Sequence, residues 1–278
     1  MDQITIGIIR EGKNPPDSRV ALTPKQCKAL LAQYPTLTII VERSPNRCYT
    51  NDEYLAEGIT LCDDVSSADI LLGVKEVPIG QLIPNKKYLF FSHTIKKQPY
   101  NSKLLQALLK KNIQLIDYEC LRWPDSGKRV LGFGRFAGIV GAHNGLLTYG
   151  KKKQLFNLKA AHSSKDYAEL KTMYDALQLP PIKMLITGGG RVSMGAKEVL
   201  DYLKIKEVSP ETYRNETFDE PVYTLLDVDD LYRHKDTHIF DRNDFFTHPE
   251  NYYCIFEPYT KNTDFMINGI YWNPKAPL

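Results

Sequence analysis

The stretch ITGGGRVSMGA, residues 186–196, puts Gly188, Gly190 and Ser193 at the three marked positions of G-x-G-x-x-G, with Arg191 inside the motif. In a dinucleotide-binding turn the first glycine lets the chain reverse and the second lets a pyrophosphate approach the backbone. The helix start that follows offers N–H donors and the positive end of a dipole. An apolar strand, IKMLITG, precedes the glycines and a helix, MGAKEVLDYLK, follows them, which is the context such a motif requires. An acidic residue about 20 positions further on would hold a ribose hydroxyl. Glu207 and Glu211 both qualify, while Arg214 nearby suits a 2′-phosphate, so NAD and NADP both stay open.

A second set of residues stands earlier in the chain. REGKNPPDSRVALTP, residues 10–24, is a charged loop after an apolar strand, and its Arg19 could grip a carboxylate with both arms of the guanidinium. LLGVKEV contains Lys75 and FFSHTIK contains His93, each at the carboxyl end of an apolar run. That is the edge of a parallel sheet where ligands bind. An imidazole titrates near neutrality and suits acid/base work, and a lysine can polarise a carbonyl or act as a base when desolvated. Glu119, after IQLIDY, could tune either group. Singly, each reads as an ordinary surface or structural residue. Their coincidence at several strand ends is the signal. His234 and His238, four apart, lie in a segment without helical pattern, and no metal site is expected there.

The elements that must position these groups alternate. ITIGII, LTIIVE, ADILLGV, KYLFFSH and IQLIDYE read as strands, separated by helical stretches that include CKALLAQY and NSKLLQALLKKN. Thr23-Pro24-Lys25-Gln26 starts a helix with a capping threonine, a proline at the first position and a glutamine three residues after the cap. Such alternation predicts a mainly parallel α/β sheet. The small-residue stretch FAGIVGAHNGLLTYGKKK predicts a helix packed close to a neighbour. Beyond Lys206 the pattern weakens, with strand-like pieces at VYTLLD, YYCIFEPY and DFMINGIYW.

Composition narrows the class. The 278 residues are 25% charged and 42% hydrophobic with a net charge of +3, which favours neither nucleic acid nor a membrane surface as partner. The N-terminal run MDQITIGIIREGK lacks the length and charge order of a leader or a membrane span. Five scattered cysteines without a C-x-x-C pair fit a reduced, cytoplasmic protein.

EGKNPPDSRVALTP resembles the N-terminal signature of the alanine dehydrogenase, transhydrogenase and saccharopine dehydrogenase superfamily. FFSHTIKKQPYNSKLLQALLKKNIQLIDYE, GFGRFAGIVGA, ITGGGRVSMGAKEVL and INGIYW resemble its lysine–2-oxoglutarate reductase branch, colinearly over nearly the whole chain. The resemblance implies two Rossmann-like domains: a substrate domain over 1–135, connecting helices over 136–180, and a NAD(P)-binding domain opening at 181–278. By the family's plan that second domain is incomplete in this chain. It also implies reversible reduction, at the expense of NAD or NADP, of the imine formed between lysine and 2-oxoglutarate. Lys75 and His93 would then be the acid/base pair, Arg19 would hold a substrate carboxylate, and Gly188, Gly190 and Ser193 would face the pyrophosphate. Arg135 stands where the family more often has an uncharged residue. An alanine-dehydrogenase-like enzyme and a binding module without catalysis are the competing expectations, and an amino acid and a 2-oxo acid are the expected partners.

Overall fold

The computed structural model describes residues 3–270 and 275–277. The chain divides into two compact units, Met1–Gly132 and Phe133–Leu278.

In the first unit, β1 (Ile4–Ile8), β2 (Leu37–Glu42), β3 (Thr60–Cys62), β4 (Ile70–Leu72), β5 (Lys87–Phe90) and β6 (Gln114–Asp117) form one sheet in the order β3-β2-β1-β4-β5-β6. Every pairing is parallel. The order reverses between β1 and β4, and at such a switch point the loops leaving the two strands diverge and open a crevice at their carboxyl ends. Helices α1 (Pro24–Gln33), α2 (Asn51–Ala56) and α3 (Ser102–Lys110) make the crossovers. The first two begin with reciprocal capping boxes, at Thr23 with Gln26 and at Thr50 with Glu53, each of which satisfies two backbone N–H groups at the helix start. Two apolar clusters hold the sheet, one around Ile8, Val41, Cys27 and Tyr54, the other around Leu71, Tyr88, Phe90 and Leu104. The strand β3, hidden in a short polar context, was not among the expected elements.

The second unit starts with α4 (Gly134–Lys153) and α5 (Tyr167–Thr172). Then come β7 (Lys183–Thr187), α6 (Arg191–Tyr202), β8 (Lys206–Glu207), α7 (Pro210–Asn215) and β9 (Val222–Leu226). After these follow α8 (Val228–Leu231), β10 (Tyr232–His234), α9 (Arg242–Thr247), β11 (Tyr252–Cys254), α10 (Glu257–Thr260) and β12 (Phe265–Asn268). Its main sheet is parallel in the order β12-β7-β9-β8, and β10 and β11 form a separate antiparallel pair.

The stretch 136–180, expected to connect two domains, belongs to this unit. Packing is the reason. Helix α4 crosses α6 so closely that a Cβ on Gly138 would strike the Val192 carbonyl, and one on Gly195 would strike that of Arg135. His143 on α4 is fully buried, bonded through one ring nitrogen to the Tyr174 hydroxyl (2.9 Å) and through the other to the Lys159 carbonyl (2.8 Å). Arg135 reaches Glu198 of α6 with two short bonds of 2.7 and 2.6 Å.

The crossing gives a paired test. Gly138→Ala should cost about 1–3 kcal/mol, because the added carbon meets backbone that cannot yield without moving a helix. Gly141→Ala, on the same helix but with open space at its Cβ, should be neutral or stabilise by up to about 1 kcal/mol. Urea melts of the two variants read the difference, and equal stabilities would show that the helices can separate freely.

Candidate active site

The carboxyl ends of β4, β5 and β6 and the loop after β1 gather the charged residues of the first unit. The loop secures the end of β4 from above. Glu11 accepts hydrogen bonds from the backbone N–H of Val74 (2.6 Å) and of Lys75 (2.9 Å), and Lys13 donates to Glu76 Oε2 (2.7 Å). Burial raises the Glu11 carboxyl above its usual range even though these two N–H groups and Arg19 oppose the rise. Tyr118 beside it is pushed up to about 12, mainly by burial and further by the charge of Glu11.

His93 follows β5 in a left-handed backbone conformation, φ +56°, which is uncommon for a residue with a side chain. One buried carboxylate maintains it. Asp117, at the end of β6, accepts the Ser92 hydroxyl on Oδ2 (2.5 Å) and the Glu119 backbone N–H on Oδ1 (2.8 Å). Asp117 thus fixes both the residue before His93 and the residue that meets it. The imidazole lies on the Phe91 ring with 6.3 Å between centroids. Its Nδ1 is 3.1 Å from Glu119 Oε2 and its Nε2 is 3.7 Å from Glu76 Oε1. Glu76 Oε1 is buried and has no hydrogen-bond partner among the described residues.

A ring between two carboxylates is an arrangement for holding and moving a proton. Burial works to raise both acids, but each ends below its ordinary range. For Glu119 the hydrogen bond with His93 and the cations Lys96 (3.6 Å) and Arg129 (3.5 Å) prevail. For Glu76 the bond from Lys13 and the nearness of His93 do so. Both are therefore ionised around neutrality.

The expected residues separate into two neighbouring groups. His93 and Glu119 are in direct contact. Arg19 instead forks onto Asp17, through Nε to Oδ1 (2.9 Å) and through Nη2 to Oδ2 (2.6 Å), which lowers the Asp17 carboxyl. Lys75 stands with that second group, its charge also acting on Asp17. Glu76 is the residue that reading along the chain missed. It lies beside Lys75 in the bend past the end of β4, where the alternation of a strand no longer tells which side chain turns to the site.

In the second unit Gly188 has φ +96°, and a side chain there would press on the Gly269 carbonyl 2.9 Å away, so the turn after β7 needs glycine. Gly190 caps α6, with open space where its Cβ would stand, and Arg191 is exposed on the first turn of that helix. Ser193 differs from expectation. It is fully buried and its hydroxyl donates to the Thr187 carbonyl (2.8 Å), tying helix to strand instead of facing the glycine cavity. The small side chain serves where the third glycine would, at the close approach of helix and sheet.

The cavity at this turn has a volume of about 440 Å³ and is bordered by Gly188, Gly189, Gly190, Asp227, Arg242 and Phe245 among others. Asp227 was also missed. It directly follows β9, the strand paired with β7, and its Oδ1 accepts the Gly189 N–H (3.1 Å). The insertion of β8 and α7 carries it well past the usual spacing. The strand-then-acid pattern VYTLLD could have found it. Glu207 is instead bound by Lys197 (2.6 Å), and Arg214 lies over the Tyr259 ring at 5.5 Å. His234 Nδ1 accepts the backbone N–H of Asp236 (3.1 Å), and His238 meets the Tyr253 hydroxyl (3.1 Å). Among the described residues no group of three His, Cys, Asp or Glu could hold a metal, and no helix is long and apolar enough to cross a membrane.

A glycine-only turn, a helix N-terminus open at its cap and an acid at the end of the adjacent strand are what the diphosphate and ribose of a dinucleotide require. The cavity falls within the usual size range of ligand pockets, about 300–1,000 Å³. These residues fit NAD or NADP.

The depressed carboxyls make a pH test. Stability from Glu119 is fully present above its unfolded value of 4.5 and is lost as pH falls through the lower folded value. Glu119→Gln should therefore be less stable than the parent at about pH 7, with the gap closing as pH falls below about 4. Urea melts across that window check it, and a gap independent of pH would remove the charge from the explanation.

Residues 7–140 match the family model described as alanine dehydrogenase/PNT, N-terminal domain. The alpha-aminoadipic semialdehyde synthase of Arabidopsis thaliana is 30% identical over 98% of this chain and 29% of its own length. The saccharopine dehydrogenase [NAD(+), L-lysine-forming] of Emericella nidulans is 34% identical over 48% of this chain and 36% of its own length. A transhydrogenase from Sinorhizobium meliloti shares the fold, with a TM-score of 0.51 at 16% identity over 73% of this chain and 58% of that one. The chain thus spans about a third of the length of these curated relatives. Residues 7–140 thus match the alanine dehydrogenase/PNT N-terminal domain family, and the chain is similar over nearly its whole length to the alpha-aminoadipic semialdehyde synthase and over about half of it to the saccharopine dehydrogenase.

Proposed function

We propose that the protein is a NAD(P)-dependent oxidoreductase acting on a C–N bond, of the saccharopine type, which reduces the imine of lysine and 2-oxoglutarate or runs the reverse reaction. The observation that carries this reading is His93 held between Glu119 and Glu76 at a strand-end crevice. The names of the relatives support it, since one is a saccharopine dehydrogenase that forms L-lysine.

The chemistry needs several proton movements. The ε-amine of lysine adds to the ketone of 2-oxoglutarate, the carbinolamine loses water to give an imine, and reduction of the imine gives a secondary amine. NAD(P)H, when bound, supplies the hydride. His93 gives a proton to the departing hydroxyl and takes one from the attacking amine, with Glu119 setting the orientation of the ring through Nδ1. Glu76 Oε1, buried and without a hydrogen-bond partner among the described residues, accepts an N–H as the amine approaches or stabilises the charged ring between steps. Arg19, half-exposed beside Asp17, takes a substrate carboxylate, and Lys75 beside it polarises the ketone.

The test is oxidation of NADH or NADPH that depends on both lysine and 2-oxoglutarate, followed by absorbance. His93→Ala should lower kcat by about 10²–10⁴ with dinucleotide affinity retained. Turnover of pyruvate and ammonia in place of lysine and 2-oxoglutarate would move the protein to the alanine dehydrogenase type. Unchanged turnover in His93→Ala would remove the imidazole from the mechanism.

A further inference from the structure

Resting on the dinucleotide reading, we propose that Asp227 and Arg242 together read the 2′ position of the cofactor's adenosine ribose, and that Arg242 is what admits a 2′-phosphate. Asp227 sits where the ribose of a dinucleotide belongs, one residue past the end of β9 and against the glycine turn. A Cβ on Gly189 would come within 2.7 Å of its Oδ2, so the carboxylate is packed onto the turn itself. Its Oδ1 is occupied by the N–H groups of Gly189 (3.1 Å) and Val228 (2.8 Å). Its Oδ2 accepts from Arg242 Nη2 at 2.6 Å. Arg242 opens α9, is 55% exposed in its side chain, and borders the same cavity as Gly188 and Gly190.

The charges decide what the pair selects. An unpaired carboxylate at this position accepts a ribose hydroxyl and repels a phosphate, which brings a charge of about −1.5 to −2 at neutral pH. Arg242 cancels the carboxylate and adds a planar set of donors that matches phosphate oxygens. The carboxylate oxygens have lone pairs beyond the bonds they already accept, so a 2′-hydroxyl can still be bound. The pair therefore takes both dinucleotides, with its charge balance set by one guanidinium. Val228, next to Asp227, and Phe245, on the same helix as Arg242, give the cavity an apolar wall beside this pair that suits a purine. Of the three groups first expected at the ribose, two are engaged elsewhere, Glu207 with Lys197 and Arg214 over Tyr259.

The experiment titrates the full chain with NADH and NADPH by fluorescence and reads the ratio of the two affinities. Arg242→Gln should shift that ratio at least about tenfold toward NADH. Asp227→Asn should shift it the opposite way, because the repelling charge is gone, and the two opposed changes cannot both come from a loss of folding. Arg242→Lys, which keeps the charge without the fork, should fall between the parent and Arg242→Gln. Binding of both dinucleotides with a ratio unmoved by any of the three substitutions overturns the inference and leaves the dinucleotide reading standing. A parent chain that binds neither dinucleotide overturns both.

Discussion

The contact between His93 and the two carboxylates that flank it is the constraint on which the candidate site of the first unit depends. It brings together residues from the ends of three different strands, β4, β5 and β6, and it puts charge where water is scarce. Burying carboxylates is costly unless they are paired. Lys13 on Glu76, and Lys96 and Arg129 around Glu119, supply the pairing. The left-handed backbone at His93 is a further cost, of the kind that persists only when the surroundings over-determine it. Asp117 is that surrounding. By holding Ser92 and Glu119 at once it couples the conformation of the histidine to the position of its partner.

The second unit solves a related problem with backbone in place of side chains. A diphosphate needs donors that carry no competing charge, and the turn after β7 with the start of α6 offers N–H groups in a space kept open by glycine. The helix must lie tight on the strand for those donors to converge. Ser193 tied to the Thr187 carbonyl and the glycine contacts between α4 and α6 hold it there. What in the sequence looks like an imperfect third glycine is thus a packing residue, and the acid at the glycine turn comes from the neighbouring strand.

Much of this was legible in the sequence because it is local. The capping box at Thr23 depends on residues three apart, and the strands of the first unit other than β3 announce themselves as apolar runs between polar turns. The glycine turn carries its own context. His93 and Glu119 could be matched because each closes a strand in a parallel sheet. Glu76 and Asp227 were not legible for opposite reasons. Glu76 was masked by the lysine beside it, and only the packing of the loop after β1 shows which of the two faces the histidine. Asp227 was displaced along the chain by β8 and α7, so a spacing rule looked too early. The weak pattern after Lys206 reflects short strands such as β8, whose two exposed residues carry no apolar signal. Placement of 136–180 within the second unit depends on a helix crossing, which is a tertiary fact.

The most direct measurement of the central claim is the fate of the hydride. The chain is incubated with lysine, 2-oxoglutarate and NADH or NADPH carrying deuterium at the transferable position, and the products are read by mass spectrometry. The expected product is saccharopine carrying one deuterium, on the carbon of the new C–N bond that came from the ketone of 2-oxoglutarate. Deuterium recovered in alanine from added pyruvate and ammonia, or cofactor left unconsumed with every substrate present, would contradict it.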